Sequence, residues 1–411
     1  MGHRVATRVA IVGAGYAGMA AAVTLAAKGV SVTVFESGPV PGGRARRVTT
    51  QGIELDNGQH ILAGAYSQLF ALMRQVGVTG AVLRLPLELR YAKGFHLRAL
   101  SLPAPLGLAA GLLFASGVSL SERLGAARFV ARMRKLRFRL DRDIEVDELL
   151  RRHRQDGKIA HFLWRPLCVS ALNTPSAQAS SNTFLAVLRD TLDGGRGDAD
   201  LLLPRTDLSR LFPEPAARYV AEHGGEVRLR TPVADLEAIK RQYSAVVVAV
   251  GPHQLKTLLP ALQLDFDYQP IYTCYLQYPG EVKLPFPMLG FADGLVQWAF
   301  DRGVLLGEAG RIACVVSAQG EHQQLAQDEL AERCHGELTD AVAGLPRPEW
   351  TRVIAEKRAT ISCTPGLERP PMQPAVGGVI LAGDYMDAEY PPTLEAAVRS
   401  GVRAALAVLQ N

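Results

Sequence analysis

The stretch VAIVGAGYAGMAAAVTLAAKGVSVTVFES, residues 9–37, decides the fold. The apolar run from Arg8 to Val12 reads as a strand, and Gly13, Gly15 and Gly18 follow it in the spacing G-x-G-x-x-G. Gly13 permits a tight turn, Gly15 lets a pyrophosphate approach the backbone, and Gly18 lets the next helix pack close to the sheet. With Ala17, these are the candidate cofactor contacts of the turn. An alanine-rich helix runs to Lys28, Gly29 closes it, and a second strand, Val30 to Phe35, ends on Glu36, an acid placed to hold a ribose hydroxyl. Glycines alone are a weak signal. The full order of strand, turn, helix, strand and acid predicts a dinucleotide-binding unit.

Composition sets the outer limits. A chain of 411 residues with 48% hydrophobic and 21% charged residues has the balance of a globular protein. A net charge of +5 is mild for this length, and no duplex- or single-strand-reading motif accompanies it, so no nucleic-acid partner is expected. Cys168, Cys274, Cys314, Cys334 and Cys363 are scattered without a C-x-x-C pair, which predicts reduced thiols and a cytoplasmic location. The nine histidines show no ligand spacing, and no metal site is expected. The N-terminus carries no secretory pattern, and the apolar window LGLAAGLLFASGV, residues 106–118, is too short to span a bilayer.

Just beyond Glu36, the stretch SGPVPGGRARR places Gly42-Gly43-Arg44. Glycine motif, acid and G-G-R together resemble the large flavoprotein family that holds amine oxidases, carotenoid desaturases and squalene-pathway enzymes. That resemblance implies FAD, lying extended, with Gly43 and Arg44 beside the pyrophosphate; a covalent link to it is not expected. Arg44 would offset phosphate charge with a forked donor. Two later segments complete the pattern. EVRLRTPVADLE (226–237) and YSAVVVAVGPHQL (243–255) give a strand, a connection and a buried strand ending near Gly251. In the family the position of Val233 meets the adenine through its backbone. The C-terminal GGVILAGDYMDAEYPPTLEAAVRSGVRAAL gives a strand from Val379, then Gly383-Asp384, then a helix opening near Thr393. Asp384 resembles the carboxylate that binds the ribityl chain. The N–H groups near Leu394 would face the electron-rich edge of the flavin from the positive end of a helix.

The expected architecture is therefore α/β: a Rossmann-like FAD-binding domain of the glutathione-reductase type with a threaded α+β substrate domain. The FAD-binding part is discontinuous, at 1–80, 204–262 and 372–411, and the substrate part occupies 81–203 and 263–371. Residues 82–98 and 263–318 read as short strands of a second, mostly antiparallel layer, and 120–200 reads as helical. Residues 196–225 read as a loop returning to the first domain through a helix capped by Asp207.

Phe129, Met133, Leu136 and Leu140 fall on one helical stripe, and Arg128, Arg132, Lys135 and Arg139 on a neighbouring one, widened by Arg134 and Arg137. A basic amphipathic helix beside the apolar window can lie in an anionic membrane surface, or it can be a core-facing stripe with a solvated arginine edge. Both readings stay open. The first places the helical part, 104–200, against the inner face of the cytoplasmic membrane.

Four strings, LDNGQHILAGAY (55–66), LWRPLCVSALNTP (163–175), LPRTDLSRLFPEPAARYV (203–220) and EKRATISCTPGLERPP (356–371), resemble the hydroxysqualene dehydroxylase branch of this flavoprotein family. The resemblance covers nearly the whole chain. It implies a hydrophobic isoprenoid substrate, hydroxysqualene, whose hydroxyl is removed to give squalene, and an electron donor that the sequence does not identify. Loss of water from an allylic carbon leaves a delocalised cation that a hydride from reduced flavin can quench. In the family the segment after G-G-R returns to the flavin ring, so Gly58, Gln59 and His60 would sit against it. The Asn57-Gly58 turn lets the backbone approach, and His60, with an unperturbed pKa near neutrality, is the first candidate for the proton donor. Its alternative role is a hydrogen bond to flavin or backbone only. Asp56 reads as a turn-stabilising side chain. Cys168, Asn173, Thr174, Tyr385 and Tyr390 are candidates for the substrate channel.

Three rival readings follow from the same segments. A carotenoid-type desaturase would run the flavin in the opposite sense. An amine oxidase usually carries an aromatic residue where Thr393 stands here. A prenyl-carrying protein of the same fold would not use flavin, against which the set Glu36, Arg44 and Asp384 speaks.

Overall fold

The computed structural model describes residues 8–100, 106–192, 194–195, 197–375 and 378–410. Its first sheet is parallel throughout, with strands in the order Glu226–Arg228, Ser31–Phe35, Arg8–Val12, Ala245–Val248, Ile380–Leu381. The central strands are buried on both faces, as a parallel sheet between helices requires, and their valine-rich runs show it. The helix Tyr16–Ala26 crosses between the first two strands and packs against the C-terminal helix Leu394–Gln410. Alanine makes this close contact possible, and Gly18 sets how near the helix comes to the first turn. A Cβ on Gly18 would lie 1.9 Å from the Gly13 carbonyl oxygen. The Rossmann-like expectation holds.

The second sheet is antiparallel, in the order Met288–Gly290, Trp298–Asp301, Arg311–Ser317, Tyr268–Gln277, Trp350–Ile361. Side chains alternate across it with period two. One face carries Cys274, Leu276, Ala299, Ile312, Cys314 and Val316, which pack with Leu330, Cys334 and Leu338 of the helix Gln327–Ala341. The other carries Tyr275, Trp298, Phe300, Ala313 and Val315, which join a core built with the helices of residues 120–192. All five cysteines are buried and unpaired as disulfides.

Two segments depart from the sequence reading. Leu201–Pro204, expected as loop, is a strand pairing antiparallel with Val82–Leu85 and Leu62–Ala63, which buries Leu202 and Leu203. Asp207 does cap the next helical turn, accepting from the Ser209 and Arg210 N–H groups at 3.1 and 3.0 Å. The stripe Phe129–Met133–Leu136–Leu140 breaks after its second member. The helix Leu120–Lys135 stops there because Arg137 and Phe138 take positive φ, +52° and +51°. Phe138 turns into the core in place of Leu136, which is exposed. Between them Phe129, Met133 and Phe138 anchor the helix, each buried apolar chain contributing about 1.5–3 kcal/mol.

Candidate active site

A cavity of about 770 Å³ runs from the carboxyl ends of the parallel strands to the inner face of the antiparallel sheet. At its first end two glycine turns lie side by side: the Gly42 N–H donates to the Ala14 carbonyl at 2.8 Å, and a Cβ on Gly43 would come within 3.1 Å of the Gly15 Cα. Glu36 braces both sides of this floor, its carboxylate accepting from the Ala14 N–H at 2.8 Å and the Gly38 N–H at 2.7 Å. Gly15 precedes the helix Tyr16–Ala26 and offers no capping side chain, so the helix start stays open toward the cavity. Bare backbone N–H groups at a helix start form an anion site. Val233 and Gly251 line the cavity beside Glu36.

Midway, Arg44 and Asp384 meet. Arg44 Nη2 donates to Asp384 Oδ1 at 2.6 Å, and Nη1 donates to the Ala359 carbonyl at 2.7 Å. The guanidinium fork is thus engaged by protein groups, and what Arg44 brings to a phosphate is its charge more than a free pair of donors. Asn57 ties this region to the sheet, donating to the Arg44 carbonyl at 2.8 Å and to Glu356 at 2.9 Å.

The turn Asn57-Gly58-Gln59-His60 lines the next part of the cavity. Gly58 takes φ +101°, which a side chain would strain. His60 is part-buried, with Nδ1 3.4 Å from the Gly58 carbonyl. Burial lowers its pKa below the ordinary imidazole value; the Gly58 carbonyl opposes this and the charge of Arg44 adds to it. Beneath the turn lies a buried ion cluster. Arg302, 1% exposed, donates to Asp56 Oδ2 at 3.2 Å and to the Gln59 amide oxygen at 3.0 Å, and forks onto Glu308 at 2.6 and 3.1 Å. Asp56 also accepts from the Leu208 N–H at 2.9 Å. Burial pushes the Asp56 pKa up to about 6, with the charge of Arg302 holding it back. Asp56 is therefore a brace for the turn, and it stands outside the cavity lining.

The far end is walled by Trp298, Phe300, Val315 and Ile271 from the sheet and by Ala171 and Ser170 from the helix Arg165–Leu172. Trp298 Nε1 donates to Ser170 Oγ at 2.8 Å, so its ring is fixed. Tyr66, Thr393 and Leu394 close the opposite side. Burial pushes the Tyr66 phenol up to about 12, with Thr393 opposing.

Of the candidate cofactor contacts, Gly13, Gly15, Ala17, Glu36, Gly43, Arg44, Gly58, Gln59, His60, Val233, Gly251, Gly383, Asp384, Thr393 and Leu394 all line the cavity, and Gly18 lies behind them. Of the candidate channel residues, Asn173 alone reaches it. Its side chain is already committed, donating to Thr360 at 3.0 Å and accepting from the Ala318 N–H at 2.8 Å. Cys168 and Thr174 are in the core, where the Thr174 hydroxyl accepts from the Cys363 N–H at 3.0 Å. Burial raises the Cys168 thiol pKa, keeping it protonated and inert. Tyr385 packs under the parallel sheet and Tyr390 lies under Arg399, 4.5 Å from ring centroid to guanidinium. Those four are not brought to the cavity. Arg302, Tyr66, Trp298 and Phe300 were not singled out in the sequence. Only the alternation in LVQWAF, with Trp298 and Phe300 two apart, carried a trace of them.

These residues fit FAD. A side-chain-free double turn suits a pyrophosphate, an acid stands at the end of the second strand, and the cavity is long enough to lead from there to an apolar chamber.

The sequence pattern of flavin containing amine oxidoreductases matches residues 16–409. The hydroxysqualene dehydroxylase of Rhodopseudomonas palustris is 28% identical, with 98% of each chain aligned. That of Zymomonas mobilis is also 28% identical, over 96% of this chain and 97% of its own. The zeta-carotene desaturase of Synechocystis is 24% identical over 98% and 97%. Among solved structures, an oxidoreductase from Methanosarcina mazei superposes with a TM-score of 0.72 at 14% identity, covering 98% of this chain and all of its own (100%). Cyclohexylamine oxidase from Brevibacterium oxydans gives 0.69 at 18% identity, covering 98% and 99%. These structural likenesses establish the fold.

Proposed function

Because the chain belongs to the flavin containing amine oxidoreductase family and so is an FAD-dependent oxidoreductase, we propose that it works reductively, removing the hydroxyl of hydroxysqualene to give squalene. The observation that carries this reading is the pairing at the inner end of the cavity. An apolar, aromatic wall of Trp298, Phe300, Val315 and Ile271 shares one chamber with the Gly58–His60 turn. The full-length similarity to hydroxysqualene dehydroxylases points the same way.

When bound and reduced, FAD supplies the hydride equivalent. The chain's residues do the rest. The carbon–oxygen bond breaks with its electrons on oxygen, and a proton must reach that oxygen for it to leave as water. His60 is the residue proposed to deliver it through Nε2, the ring nitrogen turned from the Gly58 carbonyl. Burial makes the imidazolium scarcer and a stronger acid, so donation is favourable in the fraction that is protonated. The allylic cation left behind is delocalised, and the faces of Trp298 and Phe300 can stabilise it by about 0.5–2 kcal/mol each. The apolar wall excludes water that would recapture it. Arg302, holding Gln59 from beneath, keeps the turn in one position. FAD is proposed to lie with its pyrophosphate at the glycine turns and its ribityl chain by Asp384.

A desaturase reading is favoured by one finding, the full-length similarity to zeta-carotene desaturases. The two are separated by product. Protein reduced with dithionite without oxygen is incubated with hydroxysqualene, and the lipid is extracted. Squalene supports the dehydroxylase. A more unsaturated polyene formed from a polyene substrate by the oxidised protein, with hydroxysqualene untouched, supports the desaturase.

A further inference from the structure

Among the described residues, four of the large apolar side chains that face solvent lie together along one edge, the two most exposed of all included. Leu113 and Phe114 end the helix Leu106–Phe114, and Leu120 and Leu124 open the helix Leu120–Lys135 that packs against it. Phe114 is 76% exposed and Leu120 62%. Leu120 and Leu124 are one turn apart, and the same stripe continues through Arg128, Arg132 and Lys135, all exposed. Arg137 and Arg139 extend it past the helix end. The opposite stripe, Ala126, Phe129 and Met133, is buried, so the exposed one is an outer face.

Charge on this edge is mostly of one sign, with the exposed Glu389 set 3.6 Å from Arg139 at its far end. Between residues 106 and 140 the chain has seven basic residues and a single carboxylate, Glu122. That carboxylate is turned inward, accepting from the Ser119 N–H at 3.0 Å and the Ile159 N–H at 3.2 Å. The outer face therefore reads apolar at one end and cationic along the rest. Apolar side chains at the helix junction flanked by long cationic ones match the layering of an anionic bilayer surface, with acyl chains below and phosphates above. A protein partner of matching acidity would leave Phe114 and Leu120 without an apolar counterpart.

We propose that this ridge is a membrane-docking face, seating Phe114, Leu120 and Leu124 in the acyl boundary and Arg128, Arg132 and Lys135 at anionic headgroups. Behind it Leu112, Val118, Phe129 and Met133 belong to the same core as Trp298 and Phe300. Docking there sets the core that backs the substrate chamber next to the lipid, which matters to turnover only on the isoprenoid reading. The docking itself does not.

The test is co-sedimentation of the FAD-loaded full chain with vesicles of phosphatidylcholine alone or mixed with phosphatidylglycerol. Binding is expected to the mixed vesicles, to weaken as salt rises, and to be slight on phosphatidylcholine. Each basic residue near an anionic surface contributes about fivefold, so R128Q/R132Q/K135Q is expected to lose about a hundredfold in affinity. F114S/L120S is expected to lose binding at all salt concentrations. Both variants are expected to keep bound flavin and turnover of detergent-dispersed substrate, which shows they are folded. Absence of binding at low salt, or wild-type binding by both variants, overturns the proposal. So does a dimer in sedimentation velocity that F114S/L120S dissociates, which would make the ridge a contact between copies of the chain. Vesicle binding by a protein inactive on hydroxysqualene would leave the docking face standing and remove the substrate reading.

Discussion

Arg44 and Asp384 lie 340 positions apart in the chain and 2.6 Å apart in the fold. Each faces the cavity at its midpoint, and each is held by the other, so this part of the cavity wall is fixed by an ion pair between the segments that follow the strands Ser31–Phe35 and Ile380–Leu381. Asp384→Ala leaves Arg44 part-buried without its carboxylate. The pair is partly open to solvent, so the expected destabilisation is about 1–3 kcal/mol, below the range for a fully buried pair. Flavin retained through gel filtration is expected to fall at least tenfold, with Asp384→Asn intermediate. Full retention in Asp384→Ala would remove the residue from the cofactor site.

His60→Ala is expected to keep its flavin and lose about 10²–10⁴-fold in turnover, the usual worth of a positioned acid. Its pKa is lowered by burial, so the protonated form is depleted as pH rises through a midpoint below that of a free histidine. The rate on hydroxysqualene should therefore fall with rising pH on the acid side of neutrality. His60→Gln should lose that limb as well as the rate. An unchanged profile in the variant would assign the proton to another group.

Arg302 and Asp56 give a stability prediction with a definite sign. The folded-state pKa of Asp56 is raised to about 6 from an ordinary value of 3.8. The folded state therefore holds that proton more tightly than the unfolded one. Its contribution is full below about pH 3.8 and is lost as pH rises through about 6. Arg302→Met removes the cation that tolerates the ionised form, with an expected cost of about 3–5 kcal/mol at pH 7.5. The cost should be smaller at pH 5, where Asp56 takes up its proton, and denaturant unfolding at the two pH values measures it. An equal loss at both would show that Arg302 does not act through Asp56.

Trp298→Leu tests the aromatic wall. Loss of one ring face beside a developing cation is expected to lower turnover about 3–30-fold while flavin binding is unchanged. Trp298→Phe should recover part of the rate. If Leu and Phe variants turn over alike, the wall acts by exclusion of water and not by its rings.

What the sequence disclosed followed from the range of the interactions. The glycine turns, Glu36 and the helix opening near Thr393 are local chemistry, and each could be placed from a few adjacent residues. Arg302 could not, since its partners Asp56 and Gln59 are 246 and 243 positions away and a lone arginine in WAFDRGV has no pattern. Cys168 and Thr174 sit in an unusual string, yet the helix Arg165–Leu172 turns Ala171 and Ser170 to the cavity and Cys168 to the core, a choice made by packing. The helical stripe through Leu136 failed for the same kind of reason: burying Phe138 outweighed continuing the helix.

The central claim is tested most directly by a single turnover without oxygen in heavy water. Dithionite-reduced protein is mixed with hydroxysqualene, flavin absorbance is followed, and the lipid is analysed by mass spectrometry. The account predicts flavin reoxidation mole for mole with squalene, carrying a single deuterium at the carbon that bore the hydroxyl. Flavin that stays reduced in the presence of hydroxysqualene, while the oxidised protein bleaches with a polyene, would contradict it.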